Sequence, residues 1–254
     1  MAIVSLLGTK GGCGVSLLAA NLGVALAVKE SCLLIDLNPL LGSDDLLLDL
    51  PIEKSWFDML PVGGELTQHH LDLATACHSS GLRLLGAPEQ RGGRVKQGDL
   101  VRLLKGLREL FAWTLLDVPA MNLDVSPAAF SATDFLILVS TVDPQPLRSL
   151  KRLVAGLPHE FREKTGLVFN QALQGHPALP KATAASLGLP LLAVLPFDPR
   201  GVGMQVNFGY PCVADARSTY GRAVKQLAFR LVDIETRIRT EQATAREGEL
   251  EEVA

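Results

Sequence analysis

The stretch Gly8-Thr9-Lys10-Gly11-Gly12-Cys13-Gly14-Val15-Ser16 constrains this chain more than any other. Before it lies the apolar run Ile3-Val4-Ser5-Leu6-Leu7, which has the length and composition of a buried strand. After it, residues 17–27 are almost wholly apolar and of helical length. Glycines free backbone N–H groups to converge on an anion, and a helix N-terminus adds the positive end of its dipole. Strand, glycine-rich turn and helix in this order form a phosphate-binding loop, with Ser16 where such a loop carries its Mg²⁺-binding hydroxyl. The general pattern G-x-x-x-x-G-K-[ST] asks for lysine just before that hydroxyl, and this chain has Val15. That lysine would make charge-assisted bonds to β- and γ-phosphates worth about 1.5–3 kcal/mol each. Lys10 is the basic residue that remains in the loop.

Further apolar runs follow at regular intervals. Strands are expected over 31–36, 82–88, 113–117, 135–140, 166–170 and 191–196. Helices are expected over 56–60, 98–111, 146–157 and 217–240; the second carries Leu100, Leu103, Leu104, Leu107 and Leu110 at helical spacing. The alternation implies a doubly wound α/β fold: a mostly parallel sheet with helices on both faces. At 254 residues and 48% hydrophobic, the chain suits one domain over 1–245, followed by an acidic tail, 246–254, expected to be disordered.

A net charge of −3 gives no reason to expect non-specific nucleic-acid binding. The four cysteines form no C-x-x-C pair and suit reduced thiols of a cytoplasmic protein. No run of eighteen apolar residues is present and the first strand starts at once, so neither a transmembrane segment nor a signal peptide is expected. His69-His70 and Cys77-His78 fall in a polar stretch without metal-ligand spacing and read as a solvent-facing loop. Arg91, Arg94 and Lys96 form a small basic patch beside Gly92-Gly93.

Ligands of open α/β sheets bind at the carboxyl ends of the strands. Asp117, in Leu-Leu-Asp-Val-Pro, stands at such an end and suits a Walker B acid holding Mg²⁺ together with Ser16.

The K-G-G-x-G form of the loop resembles the deviant Walker A of the MinD/ParA superfamily of SIMIBI-type P-loop proteins. The resemblance implies ATP and Mg²⁺ as cofactors and a homodimer in which Lys10 reaches the partner's nucleotide. It implies a nucleotide cradle of Gly11, Gly12, Cys13, Gly14, Val15, Ser16 and Leu17. Asp36-Leu37-Asn38-Pro39 resembles switch I, usually D-x-D-P, whose second acid orients the attacking water. An amide at Asn38 accepts a proton far less readily than a carboxylate, so the expected ATPase activity is weak or absent. Asp36 keeps the first acid. Asn170 stands where the superfamily hydrogen-bonds adenine, and Pro196 and Asp198 lie in the adenine-side loop that follows.

Segments 34–44, 81–89, 116–119, 143–149 and 207–211 resemble the CpaE/TadZ branch, whose proteins localise the assembly machinery of Tad/Flp pili. That branch often lacks the loop lysine. Many of its members carry an N-terminal receiver-like domain, which is not expected in a chain that starts at the P-loop strand. MinD proteins end in a basic membrane helix. Here the stripe Val224, Leu227, Ala228, Leu231, Ile234 and Ile238 is mixed in charge and is expected to pack on the sheet or a dimer partner.

The resulting expectation is an ATP-binding, hydrolysis-poor dimer that positions a pilus or secretion assembly, recruited by partners to a cell pole or the inner membrane. The alternatives are an active ParA/MinD-type partitioning ATPase, a nucleotide-free scaffold, and a regulator of flagellar or cellulose biogenesis.

Overall fold

A strand covered on both faces is apolar at nearly every position, and this chain repeats such runs. β1 (Ala2–Gly8) is buried throughout. Ala2, Val4 and Leu6 face one apolar layer and Ile3 and Leu7 the other, the two-residue period of a strand. The computed structural model describes residues 1–39, 41–89, 95–120, 125–172 and 178–253, with side chains to 240 except those of 172 and 238.

After β1 come α1 (Val15–Ala27), β2 (Cys32–Asp36), α2 (Asp44–Leu48), α3 (Trp56–Met59) with a 3₁₀ turn, and α4 (Gln68–Ala74). Next are β3 (Ala76–Cys77), β4 (Arg83–Leu85), α5 (Gln97–Arg108), β5 (Trp113–Val118), α6 (Ser126–Ala132) and β6 (Phe135–Ser140). The chain closes with α7 (Pro144–Gly156), α8 (His159–Glu163), β7 (Thr165–Ala172), α9 (Ala178–Leu187), β8 (Leu191–Pro196), α10 (Pro199–Phe208) and α11 (Thr219–Val253). The strand order is β3-β4-β2-β5-β1-β6-β7-β8. Every pairing is parallel except that of the edge strand β3 with β4.

The helices form two layers. α1 and α11 cover one face, their Leu18, Leu22, Val224, Leu227 and Leu231 sharing a core with Val4, Leu34 and Leu115. α5, α6 and α7 cover the other, where Leu103, Leu107, Ala129 and Leu150 meet Ile3, Ile35 and Leu116. The expected doubly wound sheet is therefore the observed one. The terminal helix packs its stripe against the sheet; Ile234 is half-buried, and the Ile238 side chain lies outside the described residues.

Two local expectations are corrected. The stretch with His69 and His70 is a helix capped by Thr67, whose side chain accepts from the His70 N–H, and Cys77 lies in β3 rather than a loop. Helix α11 runs from Thr219 to Val253. Helices α2, α4, α6, α8, α9 and α10 were not anticipated. Of the basic patch, Lys96 precedes α5 as its N-cap, while Arg91 and Arg94 lie outside the described residues.

Candidate nucleotide site

The sheet order sets β2, β5 and β1 side by side, and Asp36 is the direct register partner of Asp117. Both acids therefore emerge beside the loop that leaves β1. In that loop the backbone takes φ +80° at Gly12 and +81° at Gly14, a left-handed conformation that glycine adopts without a Cβ penalty. Gly14 is the N-cap of α1, so the first free N–H groups of the helix face the loop. Residues Lys10 to Leu17, Asn38 and the segment Asp117 to Ala120 line a cleft of about 220 Å³. That is below the ~300–1,000 Å³ of a typical small-molecule pocket and suits a phosphate chain better than a whole nucleotide.

The structure brings Lys10, Gly11, Gly12, Cys13, Gly14, Val15, Ser16, Leu17, Asn38 and Asp117 together in this cleft. Ser16 stands beside Asp117 and lowers its pKa. Asp36 does not line the cleft. It is buried behind it, where Oδ1 accepts from the Asn38 N–H at 3.0 Å and Oδ2 from the N–H groups of Ser43 (2.8 Å) and Asp44 (3.3 Å). The indole of the buried Trp56 donates to the Asp36 carbonyl at 2.8 Å and fixes the backbone there. Asn38 folds the turn back on itself: its Nδ2 donates to the Leu41 carbonyl (3.3 Å) and its Oδ1 accepts from the Leu41 N–H (3.2 Å).

Two residues expected at the adenine, Asn170 and Asp198, are hydrogen-bonded within the protein. Asn170 is fully buried under the loop, its Nδ2 donating to the Cys13 carbonyl at 2.8 Å and its Oδ1 accepting from the Gln171 N–H. The chain turns at once, with Gln171 at φ +53°. A Cβ on Gly14 would run into that amide. Asp198 caps α10, accepting from the Gly201 N–H (2.9 Å), and also accepts from Ser218 Oγ (2.7 Å) and the Tyr220 N–H (3.3 Å) at the start of α11. Its carboxylate is thereby engaged within the protein. Pro196 ends β8 in register with Ala172 and, like Asn170 and Asp198, does not line the cleft.

Sequence reading missed Asp44. Its side chain is fully buried, and neither carboxylate oxygen has a hydrogen-bond partner. One signal was available: positions 44, 47 and 48 share a helix face, and Leu47 and Leu48 are core residues. Oxygens of Asp36, Asp44 and Asp117 lie within 4.8 Å of one another. Burial, and then the Asp36 charge, push Asp117 up to about 7, against the lowering effect of Ser16. Burial, and then the charges of Asp117 and Asp36, push Asp44 well above the usual carboxylate range. A hydroxyl and three carboxylates form an all-oxygen donor set, which suits a hard cation such as Mg²⁺.

The P-loop helix is tied to the rest of the fold by buried polar groups. Asn21 of α1 donates to Gln205 of α10 at 2.6 Å, and Gln205 donates to the Leu47 carbonyl of α2 at 3.2 Å. The Cys212 N–H donates to Gln205 Oε1 and the Val213 N–H to Asn21 Oδ1.

Residues 1–160 match the family model described as cellulose biosynthesis protein BcsQ. The chain is 26% identical to the septum site-determining protein MinD of Synechocystis over 230 residues, 87% of this chain and 86% of that protein. It is 29% identical over 202 residues to an uncharacterised protein of Mycobacterium tuberculosis, and spans about half of that longer relative (78% of this chain, 55% of the relative). Among solved structures, a ParA family ATPase of Chlorobium tepidum superposes with TM-score 0.81 at 20% identity, over 91% of this chain and 98% of that one. MinD of Pyrococcus horikoshii, solved with Mg-ADP, superposes with TM-score 0.73 at 23% identity, over 91% and 95%. These structural likenesses show the fold. Among the described residues no helix is long and apolar enough to cross a membrane.

Proposed function

The chain belongs to the BcsQ family of MinD/ParA-like P-loop proteins, and from that premise we propose that it binds ATP with Mg²⁺ and hydrolyses it slowly. Backbone N–H groups of Gly11 to Ser16 cradle the phosphates, and Ser16 and Asp117 hold the cation. Bound Mg²⁺ supplies charge neutralisation at the β- and γ-phosphates. Lys10 lies at the cleft, has no ion-pair partner among the described residues, and serves the nucleotide of a second subunit. A cleft sized for phosphates rather than for a whole nucleotide supports a dimer that closes over the base.

The observation that carries slow turnover is Asn38. Its amide is engaged in the turn to Leu41, and no carboxylate stands in its place to orient water. Val15 removes the second usual contributor. The protein then acts as a positional element that recruits an envelope assembly machine in its ATP-bound state. The family match favours the cellulose-synthesis machinery; the segments resembling the CpaE/TadZ branch favour a pilus machine instead.

The test is calorimetric titration with ATP and ADP, with and without Mg²⁺, combined with solution mass and a turnover assay. Micromolar binding, an ATP-induced dimer and turnover about 10²-fold below that of the Val15→Lys/Asn38→Asp variant are expected. Absence of nucleotide binding in a constitutive dimer would establish a scaffold instead.

A further inference from the structure

We propose that Asp44, with Asp36 and Asp117, ligates a divalent hard cation of the Mg²⁺ or Mn²⁺ class directly and without nucleotide. The three carboxylates come from α2, β2 and β5, so the fold itself assembles them. Their oxygens lie within 4.8 Å of one another, within the span of one ion and its ligands. Asp44 is the telling member. It is fully enclosed, points into the cluster, and has no hydrogen-bond partner on either oxygen. Among the described residues no lysine or arginine pairs with any of the three. Buried charge without a partner is strongly unfavourable, and an ion among three carboxylates is the arrangement that satisfies all of them.

Asp36 is prepared for this role: three N–H groups fix both its oxygens on one side. Asp117 connects the cluster to the cleft, since it alone of the three lines it. Val15 gives the cation a further consequence. Without the loop lysine, an incoming triphosphate meets negative charge at Asp117. A cation bound first reverses the sign of that wall. The order is therefore cation, then nucleotide, which deepens the proposed nucleotide site and rests on it only for the second step.

The experiment is Mn²⁺ titration of the EDTA-stripped full chain, followed by electron paramagnetic resonance with no nucleotide present. One Mn²⁺ per chain is expected. Asp44→Asn is expected to weaken it roughly tenfold or more, since the amide keeps the shape and loses the anionic ligand. Asp45→Asn, which removes a neighbouring charge outside the cluster, is expected to stay within about twofold. No binding by the wild type, or equal loss in both variants, overturns the proposal. Water-proton relaxation of the wild-type Mn²⁺ complex decides the matter even if a variant fails to fold. Three protein ligands on a six-coordinate ion leave about three waters at most, and a larger number overturns direct ligation. Failure of ATP to bind a protein that holds Mn²⁺ would refute the nucleotide reading alone.

Discussion

The side-chain amide of Asn170 donates to the main-chain carbonyl of Cys13 across 2.8 Å, from the far end of β7 into the turn after β1. The two residues are 157 positions apart, so the P-loop is held from below by a strand that does not belong to its own βα unit. Asn170→Ala would leave the Cys13 carbonyl without this donor in a buried place. We expect a stability loss of about 1–3 kcal/mol, visible as a lower Tm, and weaker ATP binding because the loop is no longer held. Unchanged ATP affinity in a destabilised variant would restrict Asn170 to folding.

Val15 lies over Gly8, with its Cγ2 2.8 Å from where a Gly8 Cβ would stand. A lysine stem can follow the same apolar path and place its ammonium in the cleft. Val15→Lys is therefore expected to tighten ATP binding roughly tenfold, the effect of one charge-assisted contact. Adding Asn38→Asp restores a carboxylate and is expected to raise turnover about 10²-fold. A double variant no faster than the wild type would mean that the missing groups are not what slows the reaction.

Lys10→Ala removes a cleft-lining cation whose side chain is only half-buried, so the stability is expected to stay within about 0.5 kcal/mol of the wild type. The ATP-induced shift in solution mass is expected to vanish. Light scattering with and without ATP measures it, and an intact dimer would remove the role given to Lys10.

Asp198 joins the starts of α10 and α11. Burial raises its pKa, but the hydrogen bonds from Gly201, Ser218, Tyr220 and Thr219 outweigh it and hold the carboxyl below its usual value. A depressed acid stabilises the fold above its unfolded pKa of about 3.9, and that contribution is lost as the pH falls through the folded value. Asp198→Asn is thus expected to be less stable than the wild type at pH 7, by about 1 kcal/mol for a weakened cap, with the gap closing below about pH 4. Thermal melts at both pH values test this. Nucleotide affinity is expected to be unchanged, since Asp198 does not line the cleft.

Strands β6 and β8 coincide with the expected bounds, 135–140 and 191–196, because each is an apolar run closed by a polar residue or proline. The loop, Ser16 and Asp117 were legible for a similar reason: their chemistry depends on local spacing beside a strand. Helix α10 was not, since it holds two glycines and opens on a proline, and its cap is supported from α11, far along the chain. Asn170 was located as a strand-end residue, but its bond to the Cys13 carbonyl, 157 positions away, is a matter of packing that no local residue pattern announces. Asp44 escaped notice because an acid in a first helical turn is ordinarily an exposed partner of the helix dipole. Only packing reveals that this one faces inward.

Gln205 touches α1, α2 and the segment between α10 and α11 at once, through Asn21, the Leu47 carbonyl and the Cys212 N–H. It couples the helix that begins at the P-loop to the helix that carries Asp44, and it does so from α10. The other side of α10 presents Met204, Val206 and Phe208 to solvent. One buried amide thus joins the base of the cleft to the helix that carries an apolar outer face, so any change in the set of α1 would have to be met by Gln205 before it reached the surface.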